Sequence, residues 1–387
     1  MNPPPNDQPA FSLAQTVTRI ANILALLFLF LLGVKGLGDG FKLLGGDVLD
    51  VIFSTTENPF IGLTVGILAT TLVQRSAVTT SVIVGLVAAP ETPLPLANAI
   101  PMVMGANIGT TVTNTILSLA HMTRPEEFRR AFAVATCLDF FSIMTVAMLL
   151  PLELTTGFLQ RTSALLAARL GDVGGVTYES PLSGALNWGF VPISGLAESL
   201  FESQRAQGLV VIGVSAVLLF VALAALVKRM HSIMQTRVEK FVGGVLGSSA
   251  GFSWLVGVIV TVMVQSSSIT TSLLVPLAAA GLLTLETAFP ITLGANVGTT
   301  VTALLASLAV SGPNAIFGIE IGLVHLLFNL IGCLLIYPVP AVRRIPLGAA
   351  RGLAALAVRS RKVALLYVGG LFYGIPAILI VLERALR

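Results

Sequence analysis

The stretch VQRSAVTTSVIVGLVAA, residues 73–89, returns later in the chain as VQSSSITTSLLVPLAAAG, residues 264–281. A second string, GANIGTTVT at residues 105–113, returns as GANVGTTVT at residues 294–302. The offset between the copies changes only from 191 at the first string to 189 at the second. Polar strings repeated inside apolar sequence predict a transporter with two-fold internal symmetry.

The composition predicts a membrane protein. Of the 387 residues, 55% are hydrophobic and 10% are charged, whereas soluble globular chains carry about 25% charged residues. The net charge of +4 does not indicate nucleic-acid binding, because Lys and Arg gather in short loops between apolar segments. No small-residue cleavage site follows the first apolar run, so we expect an uncleaved first helix and not a signal peptide.

Apolar run lengths predict an all-α fold that spans the membrane several times. Two segments, 59–90 and 242–283, each contain two apolar arms joined at the repeated string, and we predict helical hairpins there. The full spans are expected at residues 20–34, 97–120, 128–150, 209–227, 290–310, 315–337 and 363–382.

The distribution of Lys and Arg predicts the orientation. The basic segments at 124–130, 228–240 and 343–362 are expected in the cytoplasm, and the more acidic loop at 152–208 outside. These placements agree only if each hairpin enters and leaves the membrane on the same side, as a re-entrant loop or as two full crossings. The two repeats are then inverted, and the N-terminus is expected in the cytoplasm, with the protein in the plasma membrane.

The predicted organisation has six parts. Each repeat is expected to contain a helix, a hairpin and two helices, one of them broken at glycines that permit unwinding: Gly105, Gly109, Gly294 and Gly298. The substrate site is expected near the midplane between the repeats. The parts are a flexible tail (1–19), repeat 1 (20–151), an external loop (152–208), inverted repeat 2 (209–340), a cytoplasmic basic segment expected to be a surface helix on anionic lipid (341–362) and a C-terminal helix (363–387).

The residue types of the repeated strings suit ions. Gln, Ser, Thr and Asn can donate to an oxyanion and also coordinate a hard cation. A helix that restarts after a break directs free N–H groups and the positive end of its dipole at an anion. For a single serine, helix packing is an equally good explanation. It is a poor explanation for a long string that occurs twice.

The Q-S-S-S string and the two G-A-N-x-G-T-T strings resemble those of type II sodium-dependent inorganic phosphate cotransporters in their compact bacterial form. The resemblance covers roughly residues 20–382. It implies sodium-driven symport of divalent phosphate by alternating access, with Na⁺ as the coupling ion and no other cofactor. The expected partners are inorganic phosphate, sodium and the lipid bilayer, with no nucleic acid and with a homodimer left open.

The matching strings imply the site residues. The residues expected to bind substrate are Gln74, Arg75, Ser76, Asn107, Thr110, Gln265, Ser266, Ser267, Ser268, Asn296 and Thr299. The residues expected to bind sodium are Gln74, Thr79, Thr80, Thr111, Asp139, Gln265, Ser268, Thr270, Thr271 and Thr300.

The first string departs from the family pattern, because Arg75 and Ala77 stand where serines are expected. An arginine at membrane depth costs from about 3 to more than 10 kcal/mol unless it faces water or a partner. Three interpretations of Arg75 are open. It acts as a tethered cation in place of one sodium and contacts phosphate, it obstructs the site, or it points away and pairs with an acid.

Asp139 lies near the middle of a predicted span, in the string LDFFS, where the family motif resembles H-D-F-F-N. The resemblance ties this aspartate to an additional sodium in electrogenic members. The alternative is an acid in a polar helix contact, paired with Arg75. We favour the ion site, since an unpaired carboxylate in a span is unfavourable. For Glu320 and His325 we expect structural roles.

No nucleophile with a base, nucleotide-binding loop or catalytic carboxylate pair occurs in the sequence, so we expect a transporter and not an enzyme. Two competing functions are kept. One is a sodium-coupled carrier of another anion, such as a dicarboxylate. The other is a transport-impaired homologue that binds phosphate, for which Arg75 and Ala77 are the sequence support.

Overall fold

The computed structural model describes residues 13–44, 56–89, 93–172, 183–244, 249–310 and 312–386, and every regular element in these ranges is helical. Residues 1–12 of the predicted tail and 173–182 of the predicted external loop lie outside this description. Six described helices are long and apolar enough to cross a membrane, which confirms the all-α membrane protein. They are Val17–Gly40, Pro125–Thr156, Gln204–Leu226, Leu285–Ser307, Ala315–Ile336 and Arg361–Glu383.

The helices are numbered here in chain order. The first part of the chain contains α1 (Leu13–Leu44), α2 (Pro59–Val73), α3 (Ser76–Val87), α4 (Leu96–Gly109), α5 (Val112–Ser118), α6 (Pro125–Thr156), α7 (Phe158–Asp172) and α8 (Ser183–Leu200). The second part contains α9 (Gln204–Gly244), α10 (Ala250–Val264), α11 (Ser267–Ser272), α12 (Leu274–Ala279), α13 (Leu285–Ser307), α14 (Ala315–Ile336), α15 (Pro340–Arg359), α16 (Arg361–Gly369), a π-helical segment (Gly370–Gly374) and α17 (Ile375–Leu386).

Each predicted hairpin consists of two short helical arms joined at the repeated string. The arms of the first, α2 and α3, have 15 and 12 residues, and the first arm of the second, α10, has 15. A spanning helix needs about 20 residues, so these lengths favour a re-entrant hairpin over two full crossings. Asn58 and Ser249 accept hydrogen bonds from backbone N–H groups in the first turns of α2 and α10, which fixes where these arms begin.

Helix packing interleaves the two halves of the chain. The helix α1 packs along α9, α2 packs on α4, and α10 packs on α13. The second arm of each hairpin contacts the other half: α3 packs on α13, and α11 packs on α5. The two repeated strings therefore meet at one place. The inverted relation of the repeats stays a prediction.

The prediction of a broken helix is wrong in the second half of the chain and only partly right in the first half. The helix α13 continues through GANVGTTVT without a break. In the first half the helix is interrupted only at Thr110 and Thr111, and both residues keep right-handed helical dihedral angles. The predicted span 97–120 is therefore divided between α4 and α5.

The glycines of these strings allow close packing and not unwinding. A Cβ atom on Gly105 would lie 1.9 Å from the backbone oxygen of Leu63, and one on Gly294 would lie 1.9 Å from the backbone oxygen of Trp254. The helices α2 and α10 therefore approach α4 and α13 at distances that only glycine permits. The repeated glycines reflect this contact in each half of the chain.

Several helices extend beyond the predicted boundaries. The helix α6 continues past Pro151 to Thr156, and α9 continues to Gly244, through the predicted basic loop and into the predicted second hairpin. The predicted external loop contains α7, which packs on α14, and also α8. The predicted basic segment is mostly α15, which packs on α6. Apolar run length detects the membrane-embedded part of a helix and misses its amphipathic continuation.

Candidate functional site

The tips of the two hairpins share one backbone conformation. Gln74 and Gln265 have φ values of 57° and 55°, and among the described residues they are the only non-glycine residues with positive φ. A left-handed residue ends each first arm, and the next residue, Arg75 or Ser266, is extended and precedes the second arm. Non-glycine residues in this region are unfavourable by about 1–3 kcal/mol and cluster at functional sites.

The two tips line a common pair of cavities. A small cavity of ≈ 20 Å³ and a larger one of ≈ 400 Å³ share three lining residues, Arg75, Ser266 and Ser268. The small cavity is also lined by Ser76, Ala77, Leu223, Gln265, Ser267 and Thr299. The larger one is also lined by Val73, Gln74, Thr113, Ile269, Ser272 and Leu273. The structure thus brings both repeated strings to one polar site.

Arg75 is half-buried at the start of α3 and lines both cavities. In the described part of the chain, no carboxylate lies within ion-pair distance of its guanidinium. Within the described part of the chain, the interpretation in which Arg75 pairs with an acid is therefore wrong. Unlike Ser266, which accepts a hydrogen bond from the N–H of Ile269, Arg75 does not cap the helix that follows it.

The second string is held by side-chain hydrogen bonds. Gln265 accepts a hydrogen bond from the hydroxyl of Thr302 (3.0 Å) and donates one to the backbone oxygen of Val262 (2.6 Å). Thr261 donates to the hydroxyl of Thr270 (2.9 Å). These bonds orient the tip from both sides, so that Ser266 and Ser268 face the cavities.

Asn107 and Asn296 lie outside the cavities in a buried network that connects the two halves. Asn329 accepts a hydrogen bond from Asn296 (2.5 Å) and donates one to the side-chain oxygen of Asn107 (3.1 Å). His325 lies 3.3 Å from that same oxygen. Both asparagines that were predicted to bind substrate therefore form a hydrogen bond with the same residue of α14, Asn329. A structural role for His325 stays a prediction.

Asp139 is fully buried on α6, away from both cavities. Its Oδ2 atom accepts a hydrogen bond of 2.7 Å from the hydroxyl of Tyr367 on α16, so the predicted pairing with Arg75 is wrong. Its Oδ1 atom has no hydrogen-bond partner among the described residues, and the same holds for the buried hydroxyl of Ser142 one turn along the helix. A carboxylate oxygen and a hydroxyl of this kind are suitable cation ligands.

The other predicted residues do not line the two cavities. Thr80, Thr110, Thr111 and Thr300 each donate to a backbone oxygen three or four residues earlier in the chain. Thr271 accepts a hydrogen bond from Asn114 (2.6 Å). The hydroxyl of Thr79 is buried and has no partner among the described residues.

Sequence reasoning missed four polar residues at the site: Thr113, Asn114, Ser272 and Thr302. Thr113 and Ser272 line the larger cavity, and Asn114 accepts a hydrogen bond from Ser272 (3.1 Å). Thr302 binds Gln265. The signal was present, because Thr113 and Thr302 are the last residues of the two GANxGTTVT strings and occupy equivalent positions.

Known proteins resemble this chain over most of its length. The family model for Na⁺/Pi-cotransporters matches residues 29–168 and 218–378. The sodium-dependent phosphate transport protein 2A of Rattus norvegicus is 33% identical over 444 aligned positions, which cover 96% of this chain and 69% of the relative. The protein 2B of Homo sapiens is 30% identical over 450 positions, covering 94% of this chain and 65% of the relative. No solved structure gives a significant match. The chain belongs to the Na⁺/Pi-cotransporter family.

Proposed function

We propose that this protein is a sodium-coupled symporter of inorganic phosphate that works by alternating access, with its substrate site between the two hairpin tips. The observation that carries the proposal is the convergence of Arg75, Ser76 and Ala77 from one tip with Gln265–Ser268 from the other around one small cavity. The relatives named above support sodium as the coupling ion and phosphate as the substrate.

The chemistry of the cavities suits an oxyanion. The guanidinium of Arg75 presents up to five N–H donors in a planar fork that matches phosphate geometry. The serine hydroxyls of the second tip add donors, and the N–H groups in the first turn of α3 lie beside Ser76 and Ala77, which line the cavity. Because no described carboxylate neutralises Arg75, its charge is available to an anion.

The size of the cavities bears on the transport cycle. The small cavity, at ≈ 20 Å³, holds little more than one water molecule. The larger cavity, at ≈ 400 Å³, has room for phosphate and shares Arg75, Ser266 and Ser268 with the small one. We infer that phosphate enters from the larger cavity and that the tips separate when it moves further. Such a movement of one tip against the other is an alternating-access step.

We assign sodium to buried oxygen atoms that have no described hydrogen-bond partner. Asp139 supplies a buried carboxylate oxygen without a described partner, and Thr79 and Ser142 supply hydroxyls of the same kind. An intramembrane carboxylate marks an ion pathway by default. Arg75 then acts as a tethered cation that takes the place of one sodium ion. Its position beside both cavities favours this interpretation over the one in which Arg75 obstructs the site.

The test is uptake of labelled phosphate into proteoliposomes driven by a sodium gradient, with a potassium gradient of equal size as the blank. The parent is compared with the double variant Arg75→Ser, Ala77→Ser, and with Arg359→Ser, an exposed arginine outside the site. We expect the parent and Arg359→Ser to transport equally and the double variant to move more sodium per phosphate.

Other outcomes separate the competing functions. Transport by the double variant alone shows that Arg75 obstructs the site and that the chain is a transport-impaired homologue. Uptake of a labelled dicarboxylate in preference to phosphate assigns another substrate. No sodium-driven uptake by any of the three proteins contradicts the proposal.

We also propose that the N-terminus is cytoplasmic and that the protein resides in the inner membrane of a bacterium. The support is the concentration of arginines on α15 and at the start of α6, which the positive-inside rule assigns to the cytoplasm. Labelling of an Arg359→Cys variant in intact cells and in inside-out vesicles tests the orientation. Labelling in intact cells by an impermeant reagent contradicts it.

A further inference from the structure

A third cavity, of ≈ 330 Å³, lies apart from the hairpin tips, between the start of α6, the α12–α13 connection and α15. Three arginines line it, Arg129, Arg130 and Arg351, and all three side chains are exposed. Its other lining residues include the carboxylate of Glu286 and the buried side chains of Leu283 and Ala354. The cavity therefore has a cationic mouth and an apolar interior.

The charges at this mouth are only partly compensated. Arg129 pairs with Glu126 at 2.8 Å, and Arg351 pairs with Glu286. Arg130 has no carboxylate within ion-pair distance among the described residues. One positive charge therefore remains after the two ion pairs are formed.

The guanidinium of Arg130 is positioned but not saturated. Its Nε and Nη2 atoms donate to the backbone oxygen of Ala279, at 3.2 and 2.7 Å. Its Nη1 atom makes no hydrogen bond within the described ranges. Gly281, with φ of +76°, lies against the same group, and a Cβ atom there would be 3.6 Å from Cζ and Nη1. The glycine leaves this side of the guanidinium open to the cavity.

The cavity lies at the ends of membrane-spanning helices. The helices α6 and α13 both begin beside it, and both are long and apolar enough to span the membrane. The helix α15 beside them carries exposed arginines and buried alanines on opposite faces. Lipid headgroups are found at this level, and arginines between spanning helices bind anionic headgroups.

We propose that this cavity is a binding site for an anionic phospholipid. The Nη1 group of the Arg130 guanidinium donates to the headgroup phosphate, Arg351 adds a further N–H donor beside its ion pair with Glu286, and the start of an acyl chain lies against Leu283 and Ala354. Because Ala279 and Gly281 lie at the C-terminal end of the second hairpin, a bound lipid holds that end of the hairpin against α6. The proposal does not depend on phosphate transport.

The test is thermal unfolding of the purified full-length protein in detergent, with added dioctanoyl phosphatidylglycerol, dioctanoyl phosphatidylcholine or inorganic phosphate at one ionic strength. Four proteins are compared: the parent, Arg130→Gln, Arg351→Gln and Arg359→Gln. The last makes the same charge change on α15 outside the cavity. Arg351 is exposed, so its variant remains informative if Arg130→Gln fails to fold.

We expect phosphatidylglycerol to raise the unfolding temperature of the parent and of Arg359→Gln equally. Half-maximal stabilisation of Arg130→Gln and Arg351→Gln should require about tenfold more lipid, as expected for loss of one charge-assisted contact. Phosphatidylcholine should have no cavity-dependent effect. An equal shift in all four proteins, or no shift in any, overturns the proposal. A shift by inorganic phosphate that depends on Arg130 assigns the site to free phosphate and overturns the lipid assignment.

Discussion

The hydroxyl of Tyr367 donates a 2.7 Å hydrogen bond to Oδ2 of Asp139 and joins the C-terminal helix to the buried carboxylate of α6. The ring of Tyr367 is packed among Phe132, Phe140 and Phe372 at centroid distances of 6.1–6.3 Å. A π-helical segment, Gly370–Gly374, begins three residues later, and such segments are frequent at functional sites. Tyr367 lies outside both predicted repeats, yet it orients the carboxylate that we assign to sodium.

We predict that Tyr367→Phe weakens sodium activation without changing the KM for phosphate. The variant keeps the packed ring and removes only the hydrogen bond, so the carboxylate loses its fixed orientation. A hydrogen bond to a charged group contributes about 1.5–3 kcal/mol, and we expect a several-fold rise in the sodium concentration for half-maximal uptake. Tyr373→Phe is the matched control, because the Tyr373 hydroxyl has no hydrogen bond within the described residues. An unchanged sodium dependence in Tyr367→Phe contradicts the role.

We predict that Gln74→Gly separates stability from transport. Glycine adopts the left-handed conformation without the strain of Gln74, whose φ is 57°. The free energy of unfolding should therefore be unchanged or higher by up to about 1 kcal/mol. Uptake of phosphate should fall, because the amide that lines the larger cavity is lost. Gln74→Ala also loses the amide but keeps the strain, so it should transport equally poorly and unfold at a lower temperature. Full activity of both variants would exclude Gln74 from the site.

We predict that Gly105→Ala and Gly294→Ala each destabilise the protein by about 1–3 kcal/mol or more. An added methyl group would overlap a backbone oxygen in each case, at 1.9 Å, and backbone cannot move aside as a side chain does. Thermal unfolding in detergent measures the loss. Gly213→Ala on α9 is the control, since no atom lies within 4 Å of its added Cβ, and we expect no loss there. Equal unfolding temperatures for all three variants would refute the close-packing role of the repeated glycines.

The repeated strings located the hairpin tips correctly. Gln265, Ser266, Ser267, Ser268 and Thr299 were predicted from the strings and line the small cavity. Polar residues that end a helix inside apolar sequence can be recognised without tertiary structure. In a membrane, the backbone groups of such a break are satisfied only where the break is buried in protein or lines a cavity.

The two asparagines lie outside the two described cavities, and the reason is helical geometry. Asn296, Thr299 and Thr302 follow one another along α13 at intervals of three residues, so each is rotated by about 60° from the next and Asn296 by about 120° from Thr302 at 100° per residue. Thr302 binds Gln265 at the tip, and Asn296 binds Asn329 on α14. A repeated string shows that its residues matter and does not show which neighbour each side chain faces.

The sequence by itself determined that this protein lies in a membrane, that it contains an internal repeat, and which polar residue types its repeated strings carry. Apolar composition, hairpin strings and hydroxyl-rich residue types are local properties, and the first two follow from what a lipid environment requires of a chain. Only the tertiary structure decided that the glycines serve helix contact, that Asn107 and Asn296 bridge the halves, and that Tyr367 binds Asp139. These outcomes depend on contacts between residues far apart in the chain, and such contacts are set by how helices pack and not by the order of residues within them.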